Sequence, residues 1–142
     1  MMAALSEQYI VSRLGSERHA FNIRDIAEII KMEHITEVPN SKPYIKGVIN
    51  LRGKIVPVVS MCRRFGIPET PIGKLSRIVV VQYQQEATGI IVDAVEKVTS
   101  FHNIQPPLEA NETHSTRYTD GIGQSPDGLV SILNIDRLFG EG

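Results

Sequence analysis

Residues 44–66 and 118–140 carry one pattern twice, and this repeat limits the possible folds more than any other feature of the chain. Under a shift of 74, Tyr44 meets Tyr118, Gly47 meets Gly121, Arg63 meets Arg137, and Phe65-Gly66 meets Phe139-Gly140. Val56 and Val58 fall on Val130 and Ile132, and Ser60 falls on Asn134. Serine and asparagine are both good helix N-caps. Under a shift of 68 the earlier residues match: Ile10-Val11 with Ile78-Val79, Asp25 with Asp93, and Glu28 with Glu96. The shifts differ by six (74 − 68), which places an insertion in the second copy's loop near Pro106. Ordered matches of this kind point to duplication. Neither copy has much core alone, so the two are expected to pack together and leave a groove at their junction.

The pattern itself is a β-hairpin. Apolar runs Gly47 to Leu51 and Ile55 to Val59 flank Arg52-Gly53, and Ser60 to Gly66 brackets a short helix. Pro57 lacks a ladder donor, which suggests an edge strand or a bulge. Upstream, Tyr9 to Leu14 and Arg18 to Ile23 form a hairpin about Gly15-Ser16-Glu17, after a loose leader over residues 1–7. Asn22 and Asp25 can cap a short helical turn. Ile26 to Ile30 suits either strand or helix, and Glu33 to Val38 reads as extended. Ile67 to Lys74, with Pro68, Pro71 and Gly73, is the linker between copies. Strands follow at Arg77 to Tyr83, Thr88 to Val92 and Ala94 to Phe101. Asn103 to Thr116 reads as a loop, and glycine-rich Tyr118 to Gly128 as turn-forming. Leu129 to Leu133 is a strand, and Asn134 caps a last helical turn ending at Gly140. The expected fold is mainly β. Two small five-stranded barrels, over 9–66 and 77–140, pack around a shared core with short helical turns, as one domain over 1–142.

Composition excludes several functions. With 15 basic and 16 acidic residues and a net charge of -1, the chain lacks the basic excess of a nucleic-acid binder. Trp is absent and aromatics are 6%, so stacking platforms for bases are scarce. One cysteine rules out an intrachain disulfide and a cysteine-based zinc site. No secretion signal and no membrane-length apolar run is visible, so a cytoplasmic protein without membrane insertion is expected. His19, His34, His102 and His114 are scattered and fit surface histidines better than a metal site or triad. Gly121-Ile122-Gly123 lacks the third glycine of a phosphate loop. Asn111-Glu112-Thr113 matches a glycosylation sequon that a cytoplasmic chain would not use. Cys62 opens the short helix, where a thiol can be activated, but a packed core cysteine is the simpler reading. No cofactor, metal or catalytic group is expected.

Arg52 is the candidate for action. It sits at a hairpin tip between apolar strands, where its stem can lie on apolar surface. Glu28, in the otherwise apolar stretch Ile26 to Ile30, is its candidate partner for a bidentate pair. Such a pair at the surface orients a binding face more than it holds a fold. Under the 74-residue shift Arg52 meets Pro126, so the arginine is not part of the repeat.

Lys46 to Val59, with Asn50-Leu51-Arg52-Gly53 followed by Val56-Pro57-Val58, resembles the signature hairpin of the CheW family, the adaptors of bacterial chemotaxis arrays. The resemblance runs from Tyr9 to Phe139 and includes Gly89 to Asp93 and the closing Leu129 to Phe139 segment. It implies two five-stranded barrels and a strand over Ala27 to Ile35. Neither a receiver domain nor a kinase domain is expected. It further implies a non-enzymatic scaffold that binds the cytoplasmic tip of a chemoreceptor between barrels and the regulatory domain of the histidine kinase CheA, with other CheW-like domains as ring partners. The family's hairpin arginine and its glutamate partner correspond to Arg52 and Glu28. The expected contact surface comprises Arg52, Glu28, Ile26, Val48, Ile49 and Asn50. A CheW-like scaffold of a pilus-motility pathway is the nearest alternative, a thiol enzyme using Cys62 a more distant one.

Overall fold

The computed structural model describes residues 7–107 and 116–140. The leader expected over 1–7 lies mostly outside them, as does much of the loop expected over 103–116. The first copy supplies β1 (Tyr9–Leu14), β2 (Glu17–Asn22), β3 (Ile26–Lys31), β4 (Ile45–Leu51), β5 (Lys54–Ser60) and α1 (Met61–Phe65). The second supplies β6 (Arg77–Tyr83), β7 (Glu86–Val92), β8 (Ala94–Thr99), the short β9 (Ile104–Gln105), β10 (Thr119–Ser125), β11 (Gly128–Leu133) and α2 (Ile135–Gly140). The repeat is therefore structural. Shifting β1–β3 by 68 lands on β6–β8, and shifting β4, β5 and α1 by 74 lands on β10, β11 and α2. The ladder irregularity between Ile45 and Gly47 recurs between Thr119 and Gly121.

The class is mainly β, as expected, but the copies are not the sheets. The first sheet runs β8-β1-β2-β11-β10-β9 and the second β3-β6-β7-β5-β4. Each draws strands from both copies, so the division at 9–66 and 77–140 is corrected. The cause lies in the connections. Only Asp93 separates β7 from β8, one residue fewer than the tightest usual hairpin loop. β8 therefore crosses over to pair with β1, and β3, which follows β2 after the helical turn Ile23–Asp25, pairs with β6. Nor are the sheets fully closed barrels. Each is a curled sheet whose ends meet over a short seam: Thr36 bridges Val48 in the second, and β9 pairs with Ile122 and Gly123 of β10 in the first.

Of the glycines expected in a turn over 118–128, Gly128 does follow one, with φ 127°, but Gly121 and Gly123 lie in strand β10, and the seam explains them. A Cβ on Gly121 would lie 2.6 Å from Ile104 Cγ2, and one on Gly123 would lie 2.6 Å from Phe101 Cδ1. Close approach, not chain reversal, requires these small residues. Pro57 is also corrected. β5 is an interior strand between β7 and β4, with no bulge at the proline. The parallel ladder to β7 begins only at Val58, so the missing N–H breaks no rung.

The main core lies between the sheets, around Phe21, Met61, Val79, Ile90 and Leu138, with smaller cores inside each curl. Cys62 is buried in the main core. His19, expected at the surface, is fully buried on interior strand β2, with its ring 5.3 Å from Phe65. Ser60 and Asn134 cap α1 and α2, accepting from the N–H of Arg63 and Arg137. The Arg64 guanidinium lies between the equivalent rings of Tyr44 (4.5 Å) and Tyr118 (4.8 Å), and its Nε donates to the Leu138 carbonyl at 2.7 Å. The two copies are thus clamped at their junction.

Candidate functional site

Arg52 and Gly53 both have positive φ, 52° and 86°, the signature of a type I′ hairpin turn. Asn50 stabilises it, its Oδ1 accepting from the Gly53 N–H at 2.9 Å. β3 and β4 are the two ends of the second sheet, yet the curl brings them face to face. Arg52 at the tip of the β4–β5 hairpin therefore reaches Glu28 on β3. Arg52 Nη1 donates to Glu28 Oε1 at 3.1 Å and Nη2 donates to Oε2, a bidentate pair. The arginine side chain is 69% exposed and the glutamate 30%. Hydrogen bonds from Arg52 hold the Glu28 carboxyl below the usual range, and Glu28 raises Arg52 in turn. A shallow pocket opens beneath the pair, lined by Ala27, Leu51, Val56 and Val80.

The other expected contact residues fare differently. Val48 is half-buried at the seam, and its N–H and carbonyl bond Thr36. Ile26 is half-buried against the main core. Asn50 is exposed but engaged in the turn. Ile49 is corrected: it is 2% exposed in the core of the second sheet. Strand alternation turns it inward when Val48 and Asn50 face outward. The structure thus joins Glu28 and Arg52, and places Val48 and Ile26 elsewhere on the same half of the molecule.

One pair was not foreseen. The equivalent turn, Pro126-Asp127, also carries a side chain that grips a neighbouring strand. Lys97 Nζ on β8 donates to Asp127 Oδ2 at 3.1 Å. The polarity is inverted: in the second sheet the turn supplies the cation, in the first the anion. Glu96, the counterpart of Glu28, is held instead by Arg18 at 2.7 Å and Arg13 at 3.6 Å. Both turns are clipped, then, and what distinguishes Arg52 is its sign and its bidentate geometry. The signal for Asp127 lay next to Pro126 in the repeat, displaced by one residue.

Cys62 is closed to solvent, its Sγ 3.9 Å from Thr70 Oγ1. Among the described residues, no group of histidine, cysteine and carboxylate side chains is arranged to hold a metal ion. No helix among them is long and apolar enough to cross a membrane.

The CheW-like domain family model matches residues 8–142. The chain belongs to the CheW-like domain family. It is 35% identical to the chemotaxis protein CheW of Bacillus subtilis over 135 residues, covering 94% of this chain and 86% of that one. It is 31% identical to CheW of Thermotoga maritima over 139 residues, covering 97% and 91%. A third relative, protein PilI of Pseudomonas aeruginosa, is 31% identical over 103 residues, covering 69% of this chain and 58% of its own. Among solved structures, the scaffolding protein TtCheW of Thermoanaerobacter tengcongensis superposes with a TM-score of 0.87 at 34% identity, covering 96% of this chain and 90% of that one. The hairpin of this chain that resembles the CheW signature carries Arg52 of the Arg52–Glu28 pair.

Proposed function

We propose that this chain is a non-enzymatic cytoplasmic adaptor that couples chemoreceptor cytoplasmic tips to the regulatory domain of the histidine kinase CheA. The observation that carries this reading is the exposed bidentate pair of Arg52 and Glu28 on a hairpin of CheW-like sequence. An exposed pair contributes little to stability, so its value lies in presenting a defined charged surface beside a small apolar pocket. In this reading the receptor contacts Arg52, Glu28 and the half-buried Ile26 and Val48. The kinase domain contacts exposed strand surface, for which Ile55 and its repeat counterpart Leu129 supply outward apolar side chains, 66% and 65% exposed. Other CheW-like domains are ring partners of the same kind. Single contacts of this size are weak, and an array makes them effective through multivalency.

The test is a reconstituted array of receptor, kinase and adaptor. Arg52→Glu should keep the fold and lose most receptor-dependent kinase activation. Glu28→Arg combined with Arg52→Glu should recover part of it. Normal activation by Arg52→Glu would remove the reading. The likeness to PilI favours a second reading, the same scaffold in a pilus-linked pathway. Pull-downs against receptor and kinase fragments from each pathway separate the two.

A further inference from the structure

The linker between copies sits in a bed, and the repeat builds a second bed, a cleft among the described residues. Residues 67–75 follow α1 and are anchored by Glu69 and Thr70. Glu69 accepts from Lys46 (3.2 Å), Ser60 (3.2 Å) and Arg63 (3.0 Å). Thr70 Oγ1 donates to Asp93 Oδ1 at 2.6 Å beside Cys62, and Asp93 Oδ2 accepts from the Gly15 N–H at 2.7 Å. Six of these bed residues have counterparts under the two shifts: Arg63 maps to Arg137, which lies outside the cleft, and the other five map into it. Lys46 maps to Asp120, Ser60 to Asn134, Cys62 to Asp136, Gly15 to Tyr83, and Asp93 to Asp25. These five counterparts line one cleft, beside the tip of β6 and the start of α2.

The charge is inverted at the Lys46 position and kept at the Arg63 position. Where Lys46 meets the linker's Glu69, the cleft presents Asp120, with Asp136 nearby. Asp120 Oδ1 accepts from the Asn134 side-chain amide at 2.9 Å. Arg24 on the rim is paired to Glu7 at 2.6 Å, and Arg137 is turned to the Thr119 carbonyl. Asp25 holds the place of the carboxylate that captures Thr70, and burial raises its carboxyl above the usual range. A fitting occupant is extended, as the linker is. It carries a cation at the position of Glu69 and a hydrogen-bond donor at the position of Thr70.

We propose that this cleft binds an extended, basic segment of a partner protein, seated as residues 67–75 sit in the matching bed of the first copy. The site is distinct from the Arg52–Glu28 surface and adds a peptide-docking function to the scaffold. A donor to Asp25, as Thr70 donates to Asp93, provides the common part of recognition, and the carboxylate at Asp120 selects the partner.

The probe is a synthetic peptide copying residues 66–75 with Glu69→Lys, titrated into the full chain and followed by amide NMR shifts. The control peptide keeps the glutamate. Saturable shifts centred on Asp25, Tyr83, Asp120, Asn134 and Asp136 are expected with the lysine peptide. The control should bind about fivefold more weakly, the scale of one exposed ion pair. Asp120→Lys gives the cleft the residue found at position 46 and should invert that preference. Equal binding of both peptides, shifts centred elsewhere, or no shifts at millimolar peptide would overturn the proposal. Self-association of the chain that Asp120→Lys abolishes would assign the cleft to a second copy and overturn it too. Arg52→Glu should leave the titration unchanged, so this result stands or falls apart from receptor coupling.

Discussion

Gly47→Ala should open the seam of the second sheet. A Cβ at this position would collide with the Thr36 carbonyl oxygen, and it would lie 2.8 Å from the Thr36 carbonyl carbon and 2.7 Å from Ile35 Cγ2. Two of those atoms are backbone and cannot swing aside like the end of a side chain. If the 35–36 segment moves away, the two Thr36–Val48 backbone bonds, each 2.9 Å, are lost. At about 1 kcal/mol net per bond, that is about 2 kcal/mol. If the segment stays, overpacking costs about 1–3 kcal/mol. The expected loss is about 1–3 kcal/mol, against a total stability of about 5–15 kcal/mol for a typical domain. Urea unfolding should show a lower midpoint at unchanged slope. Gly73→Ala is the control, because nothing lies within 4 Å of its added Cβ. It should stay within about 0.5 kcal/mol of the parent. Equal stability of the two variants would refute the steric account of the seam. Because the seam carries β4 towards β3, Gly47→Ala should also weaken receptor coupling while still folded.

Acid should erase the contribution of the hairpin pair. Arg52 depresses the Glu28 carboxyl, so its stabilisation is present above the unfolded value of about 4.3 and fades as pH falls through the lower folded value. The stability difference between the parent and Glu28→Gln should therefore shrink between about pH 7 and about pH 3, read from urea midpoints. A difference that persists unchanged in acid would argue against the pair. Asp127→Lys sets two cations together at the opposite clip, and it should leave kinase activation near the parent level where Arg52→Glu abolishes it. Equal losses would make the clips interchangeable and end the special role of Arg52. Cys62→Ala should lose about 1 kcal/mol of stability from the core and keep adaptor function. Loss of function in a folded variant would reinstate thiol chemistry.

Local patterns were legible wherever short-range chemistry decides the outcome. The hairpin about Arg52-Gly53, the caps at Ser60 and Asn134 and the irregular linker all follow from nearest-neighbour preferences. The stretch Ile26 to Ile30 was ambiguous, since a short isoleucine-rich run fits both periods until a neighbouring strand is supplied. The glycines of β10 misled for a related reason. A glycine needed for close approach has the same letter as one needed for a turn, and only the position of Ile104 and Phe101 separates them.

By itself, then, the chain determined a duplicated β unit, a hairpin that displays Arg52, and the identity of its partner Glu28. Tertiary structure alone decided how the copies interlock. One residue between β7 and β8 is too few to turn back, so β8 joins β1, while β3 joins β6, and no boundary at 66 or 77 survives in space. It also turned Ile49 inward, buried His19, and gave the second turn a clip of opposite sign. Strand crossover and the resulting curl are long-range events. They set which side chains meet across the molecule, and no local preference in the sequence encodes that choice.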